Sequence, residues 1–226
     1  TGLRRIVAAD VGCGAGRYDA MLLQHLGKRL FLYCIDNCPA MLRELNNYLT
    51  DKKLTNFKTL KSPGEKLPLN DASLDCIFTF NAIHLFHLPR FLSESYRTLK
   101  DGGYLFIYTR LRSQNKRTIW GKHFPLFYEK ETRLYELNQL KRLIKDASGL
   151  KVETVEYFKY ARLSSLNKLL ERAQCRHYST FCLYKKKEFA AALKGFEENI
   201  QKAFKDLNNI LWFDENVLLV VNKRAV

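Results

Sequence analysis

The chain has 226 residues, 46% of them apolar, and carries 38 lysines and arginines against 23 aspartates and glutamates, a net charge of +15. That length and apolar content suffice for one α/β core; no apolar stretch reaches the roughly 20 residues of a membrane-spanning helix, and no signal peptide is apparent. Six cysteines without a C-x-x-C pair argue against a zinc site, so no metal is expected, and their usage points to a reducing cytoplasm.

Residues 5–9 are apolar and partly β-branched, which predicts a buried first strand. Asp10-Val11-Gly12-Cys13-Gly14-Ala15-Gly16 follows, and then residues 17–26, where Tyr18, Met21, Leu22 and Leu26 recur at helical spacing. Strand, glycine loop and helix open a nucleotide-binding α/β fold, with the ligand at the carboxyl end of the strand. The spacing is G-x-G-x-G and not the dinucleotide fingerprint G-x-G-x-x-G. An acid at Asp10 would repel a pyrophosphate but favour the ammonium and sulfonium of S-adenosylmethionine, which disfavours a nicotinamide dehydrogenase.

The run at residues 30–36 predicts a second strand that ends on Asp36, 24 positions after Gly12. A carboxylate at such a tip can accept both ribose hydroxyls, although an acid there also serves as a helix N-cap. Pro39 suits the start of the next helix, which carries Met41-Leu42. Ser62-Pro63-Gly64-Glu65-Lys66-Leu67-Pro68-Leu69 predicts a loop, residues 74–80 a strand ending at Asn81-Ala82-Ile83-His84-Leu85, and residues 99–109 a helix end, a glycine turn at Gly102-Gly103 and a further strand.

In this register the five segments resemble the class I S-adenosylmethionine-dependent methyltransferases, in particular the type 11-like methyltransferase domain family. The resemblance covers residues 1–110. It implies S-adenosyl-L-methionine as cofactor, with contacts from Asp10, Gly12, Cys13, Gly14, Gly16, Asp36, Asn37, Met41, Gly64, Glu65 and Asn81. Two departures stand out. Pro63 occupies a place where the family commonly has an acid for the adenine amino group, and proline has no side-chain acceptor. Asp101 replaces the proline of the family's Leu-x-Pro-Gly-Gly turn. The family usually has a helical segment before its first strand, whereas here the strand begins almost at Thr1.

The later residues are expected to set specificity. Residues 138–148 predict a helix ended by Gly149, residues 151–158 a half-exposed strand and residues 215–221 a last strand. Roughly 163–212 form a helical insertion, because Phe189, Ala192, Leu193, Phe196, Ile200, Ala203, Phe204 and Leu207 follow a 3–4 step. A lid over the active-site mouth is one reading of it, and packing on the far side of the sheet the other. Residues 117–125, an aromatic and basic loop, and 176–181, with Tyr178-Ser179-Thr180, are candidates to line a substrate pocket. Residues 110–187 hold 19 basic and 7 acidic side chains, whereas 1–109 hold 14 and 10. The excess suggests an anionic acceptor or RNA, or simply a solvated surface.

A sulfonium is a good methyl donor in itself, so catalysis needs mainly alignment and exclusion of water. If a proton must leave the acceptor, His84 is the candidate base, with His87, His123, His177 and Tyr178 behind it. The expectation is therefore one class I methyltransferase domain over 1–226, split into a cofactor core (1–110) and a specificity half (111–226). Its α/β fold is Rossmann-like, a seven-stranded mixed sheet with helices on both faces and a helical insertion before the last strand. The expected function is methyl transfer to a small molecule in the cytoplasm, with no membrane partner. The alternatives are a tRNA or other RNA methyltransferase and a non-catalytic cofactor-binding protein.

Overall fold

The computed structural model describes residues 5–147 and 149–224. Its strands are β1 (Ile6–Val11), β2 (Leu30–Asp36), β3 (Phe57–Lys61), β4 (Leu74–Phe80), β5 (Leu99–Thr109), β6 (Leu150–Ser164) and β7 (Ile210–Lys223). They form one sheet in the order β3-β2-β1-β4-β5-β7-β6. The first five pair in parallel, and β7 runs antiparallel to β5. The helices are α1 (Arg17–Leu26), α2 (Pro39–Asp51), α3 (Leu88–Thr98), α4 (Arg112–Arg117), α5 (Ile119–His123), α6 (Phe127–Lys130), α7 (Leu137–Asp146), α8 (Leu166–Gln174) and α9 (Lys186–Ala203).

The chain packs as two compact units. One comprises residues 1–109, 137–156 and 217–226, the other 110–136 and 157–216. In the first, β1 is buried from Ala8 to Val11, as a central parallel strand must be. Ala8, Leu30, Leu32 and Cys34 of the sheet pack with Ala20 and Leu23 of α1 and Leu45 and Leu49 of α2. Pro39 stands in the first turn of α2, where its missing N–H costs nothing.

The second unit has its own core around Trp120. The indole stacks on Phe196 of α9 at 5.0 Å and meets Phe181 edge-on at 5.3 Å. Phe124, Phe127, Leu169, Ile200 and Ile210 complete this cluster. Residues 112–123 are therefore two short helices and not the loop expected for 117–125. Thr118 separates them and caps α5 by accepting from the Gly121 amide at 3.0 Å.

Five other elements differ from the sequence expectation. The face of α1 turned to the core carries Asp19, Ala20 and Leu23, and Met21 is 59% exposed; its apolar stripe is not its buried stripe. Gly102 and Gly103 lie inside β5 and not in a turn before it. The strand absorbs the extra residues as a register shift against β4, pairing Leu99 with Leu74 but Tyr104 with Cys76. Strands β6 and β7 are each longer than predicted, 15 and 14 residues, because both continue into the second unit. Helix α7 ends at Asp146, short of the expected 148, and Ser148 itself lies outside the described residues. The insertion between β6 and β7 is helical as expected, built from α8, a short 3-10 turn at Ser179–Leu183 and α9.

Candidate functional site

The cofactor residues singled out by the sequence belong to the first unit, at the carboxyl ends of β1, β2 and β4 and on the loops that follow them. Asp10 pairs across the sheet with Cys34 of β2 on one side and Phe78 of β4 on the other. Beyond Val11 the chain turns through Gly12, Gly14 and Gly16, with φ of +78°, +55° and +83°. Glycine is required at two of these for space as well as backbone angle. A Cβ on Gly12 would lie 2.4 Å from the Ala82 Cβ, and one on Gly16 would lie 2.7 Å from the Leu45 side chain. Gly14 faces open space, with nothing within 4 Å of its would-be Cβ.

Asp36 ties the loops together. One carboxylate oxygen accepts the Gly14 amide at 3.0 Å and the other accepts the Cys38 amide at 2.8 Å. A carboxylate has about four acceptor positions, so both oxygens retain capacity for ribose hydroxyls. The backbone adds to the same fixture, since the Gly12 amide donates to the Ile35 carbonyl at 2.8 Å. Asn37 follows directly on Asp36, and Met41 stands in the first turn of α2, 37% exposed.

The loop after β3 is held from both ends. Glu65 accepts the His87 amide at 2.5 Å, and Ser62 donates to the Lys66 carbonyl at 2.5 Å. Glu94 accepts the Leu67 amide at 2.7 Å, while Arg97 donates to the carbonyls of Leu67 and Leu69. The hydrogen bond from Arg97 holds the Glu94 carboxyl below the usual range. A Cβ on Gly64 would come within 3.2 Å of both Phe86 and Val11. Phe86 thus packs on Gly12 and Gly64 together and sets the distance between the two loops.

Asn81 takes a left-handed conformation (φ +53°) just past β4, its amide donating to the Tyr108 carbonyl at 2.7 Å. Its side-chain amide donates to the Tyr18 hydroxyl at 3.4 Å, and the Tyr18 ring stacks on Phe80 at 4.4 Å. His84 lies half-buried in the single turn Ile83–Leu85 on the same segment, and His87 precedes α3. Of the other candidate bases, His123, His177 and Tyr178 all belong to the second unit. His123 has its ring edge-on to Phe204, and burial, then Lys122, pushes its imidazole below its usual value.

Sequence reasoning missed Asp19. It is fully buried, and burial pushes its carboxyl up to about 6. Asp10 is raised well above the carboxylate range by burial first, then by Asp19 and Asp36. The Asp10 Oδ1 has no hydrogen-bond partner among the described residues. A signal for Asp19 was present, since it shares a helix face with Leu23 and Leu26, four and seven residues further on. Phe86 and Ala82 had no comparable signal, because their role is contact with glycines distant in sequence.

Three left-handed glycines, a two-handed acid at the tip of the adjacent strand and a buried acid with an unsatisfied oxygen beneath the loop fit S-adenosylmethionine. They offer a close backbone approach, a ribose acceptor and negative charge for a cation. Among the described residues no group of three or more histidines, cysteines or acids could hold a metal ion.

A seven-stranded sheet in this order, with an acidic glycine loop after its first strand, defines the class I methyltransferase fold. Residues 9–107 match the family model described as a methyltransferase domain. Over those residues the chain is similar to the methyltransferase domain family, and its fold is the Rossmann-like methyltransferase fold of its solved neighbours.

Over 133 residues the chain is 34% identical to the phthiotriol/phenolphthiotriol dimycocerosates methyltransferase of Mycobacterium leprae, a match covering 58% of this chain and 45% of that one. The chain spans about half the length, or less, of the curated relatives it first matches. Among solved structures, a SAM-dependent methyltransferase from Aquifex aeolicus is similar with a TM-score of 0.56 and 25% identity, over 74% of this chain and 80% of that one. Phosphoethanolamine N-methyltransferase 2 of Haemonchus contortus, solved with phosphomonomethylethanolamine and S-adenosylhomocysteine, is similar with a TM-score of 0.60. That match covers 100% of this chain and 50% of the other at 16% identity, which shows the fold alone.

Proposed function

We propose that this chain transfers a methyl group from S-adenosyl-L-methionine to a small-molecule acceptor. The observation that carries the reading is the Asp36 carboxylate, which holds the Gly14 and Cys38 amides and so fixes both walls of a ribose site. Bound there, S-adenosylmethionine supplies an electrophilic methyl group. Gly12, Cys13, Gly14 and Gly16 would let the backbone approach it closely, and Asp36 and Asn37 would hold the ribose. Gly64 and Glu65, on a loop locked by Arg97, would border the base, and Met41 would cover its outer side. Asp10, below the loop, offsets the positive charge of the methionine end.

Asn81 and His84 follow the strand end on which the acceptor is aligned. For an O–H or N–H acceptor, His84 takes the departing proton at an imidazole nitrogen. His84→Ala then lowers kcat by about 10²–10⁴-fold without weakening cofactor affinity, and an equal loss in cofactor affinity would remove it from the base role. The exposed free thiols Cys38, Cys175 and Cys182 support a reducing, cytoplasmic setting. Among the described residues no helix is long and apolar enough to cross a membrane.

The test is methyl-labelled S-adenosylmethionine added with the protein to a matched cell extract. Label in the small-molecule fraction supports the reading. Label in RNA, or cofactor binding without transfer to anything, overturns it.

A further inference from the structure

Where β6 and β7 run through the second unit, as residues 157–164 and 210–216, they present one side to its core and the other away from it. In β7 the alternation is strict. Ile210, Trp212 and Asp214 are buried, whereas Leu211 and Phe213 between them are 53% and 47% exposed. Two contacts fix how β6 matches this. The Arg162 Nε donates to the buried Asp214 at 3.3 Å, so the even-numbered side of β6 goes with the inner face of β7. Lys159 lies over the Phe213 ring at 4.8 Å, so the odd-numbered side goes with the outer face. Tyr157, 65% exposed, and Leu163, 63% exposed, therefore stand with Leu211 and Phe213 on one outward surface, together with Lys159 and Ala161.

The outer side of a strand that packs its other face on a core is ordinarily polar. This one holds four of the ten exposed large apolar side chains among the described residues, and such a patch marks a surface that meets something other than water. Charge decides what that is. The patch carries Lys159, and the acid on the same side of β7, Glu215, is neutralised by Arg117, whose Nε donates to it at 2.9 Å. Lys168 and Lys205, just beyond the ends of the two strands, are exposed and pair with no acid among the described residues. The second unit as a whole has 18 basic and 10 acidic side chains. An identical copy laid on this face would bring two chains of +15 together and cover Lys159 without supplying an acid. Rings and leucines rimmed by lysines suit instead the boundary between anionic headgroups and acyl chains, where the apolar groups enter and the ammonium groups stay outside.

We propose that the face formed by Tyr157, Leu163, Leu211 and Phe213, with Lys159 among them, docks this chain on an anionic lipid surface. This runs against the expectation of no membrane partner, which rested on the lack of a spanning stretch, and surface docking needs none. The assignment is independent of the methyltransferase reading.

The test is co-sedimentation of the full chain with vesicles of phosphatidylcholine alone and of phosphatidylcholine and phosphatidylglycerol mixed three to one. The mixed vesicles are expected to bind the chain at least tenfold more strongly, and added salt to weaken that binding. A net charge of +15 would by itself draw the chain to such vesicles, so the variants decide. Leu211→Ser with Phe213→Ser leaves the charge unchanged and is expected to lower the partition at least tenfold. Lys159→Gln lowers it about fivefold, the effect of one lysine at such a surface. Lys28→Gln, an equal loss of charge at an exposed position of the first unit, leaves it unchanged. Phe213→Trp keeps a ring on the face, and brominated acyl chains in the mixed vesicles are expected to quench its emission, whereas Trp120 and Trp212 are buried. Circular dichroism checks that each variant is folded; if the serine variant is not, Lys159→Gln and Phe213→Trp still decide. The assignment is overturned if the mixed vesicles do not bind the chain, if the folded serine variant or Lys159→Gln binds as the unmodified chain does, or if brominated chains leave the Phe213→Trp emission unaltered. A dimer in sedimentation velocity that the serine variant disperses, with no binding to lipid, makes the face a contact between copies and overturns it as well.

Discussion

Asp10 and Asp19 are buried neighbours that both carry carboxyl groups, the first at the end of β1 and the second in the opening turn of α1. Two like charges in an apolar setting resist ionising together, so the pair holds on to a proton that each would lose in water. The same arrangement leaves an acid directly below the glycine loop, where a cationic ligand can draw that proton off.

The first prediction is a pH effect on stability. In the unfolded chain Asp19 ionises near 3.8, and in the folded one only at about 6. Between those values the native state binds more protons, so stability falls as pH rises through the window. The loss attributable to Asp19 is on the order of 2 kcal/mol. Glu94, whose carboxyl is held low by Arg97, pulls the other way at acid pH. The measurement is therefore a comparison of urea unfolding at pH 4.5 and pH 7 for the unmodified chain and for Asp19→Asn. A smaller fall in the variant is expected, and identical profiles would refute the assignment.

The glycine loop separates backbone strain from crowding. Gly12→Ala meets Ala82 at 2.4 Å as well as an unfavourable φ, whereas Gly14→Ala meets only the unfavourable φ. The left-handed conformation costs about 1–2 kcal/mol and overpacking about 1–3 kcal/mol more. Gly12→Ala should therefore be the less stable variant by at least about 1 kcal/mol in chemical denaturation. Equal stabilities would mean that Ala82 moves aside without cost.

Asp36→Ala removes the acceptor for two amides from different loops. Losing these charge-assisted bonds should cost about 2–4 kcal/mol of stability and weaken S-adenosylhomocysteine by more than tenfold. Calorimetry on the folded variant checks this. Unchanged affinity would leave Asp36 as a structural tether only.

Trp120 ties α5 to α9 and to the 3-10 turn that carries Ser179. Trp120→Ala should cost about 3–5 kcal/mol through the cavity it leaves. Near-ultraviolet circular dichroism and thermal unfolding would register the loss. A shift of less than a degree in Tm would show that the second core does not depend on this ring.

Most of the cofactor half was legible in the sequence because its signals are local. A strand that must be buried on both faces reads as an apolar run, and loops that need positive φ read as glycines, so β2, α1 and β4 fall where the pattern puts them. Asp36 was legible for the same reason, at the end of a run. The register shift at Gly102 was not, since it depends on how β5 meets β4 and not on the glycines themselves. The buried side of α1 was legible only from the spacing of Asp19 and Leu23, since a polar Asp19 faces inward beside Asp10 while Met21 faces water. Residues 110–136 were the least legible. Their helices are four to six residues long, too short to display a period, and are fixed by aromatic packing with partners some 60 to 80 positions away.

The place of β7 in the sheet has a consequence for the making of the protein. It is the last strand in chain order, yet it lies between β5 and β6. As the chain leaves the ribosome, β5 emerges about 100 residues before the strand that will cover its flank. At a synthesis rate of about 5–20 residues per second, that flank stands open for roughly 5–20 s. For that interval a row of unpaired backbone groups from an apolar strand is available to any other extended segment nearby. The finished sheet hides a vulnerability that belongs only to its birth, and a cell that makes this chain must keep the nascent edge of β5 occupied or isolated until β7 arrives.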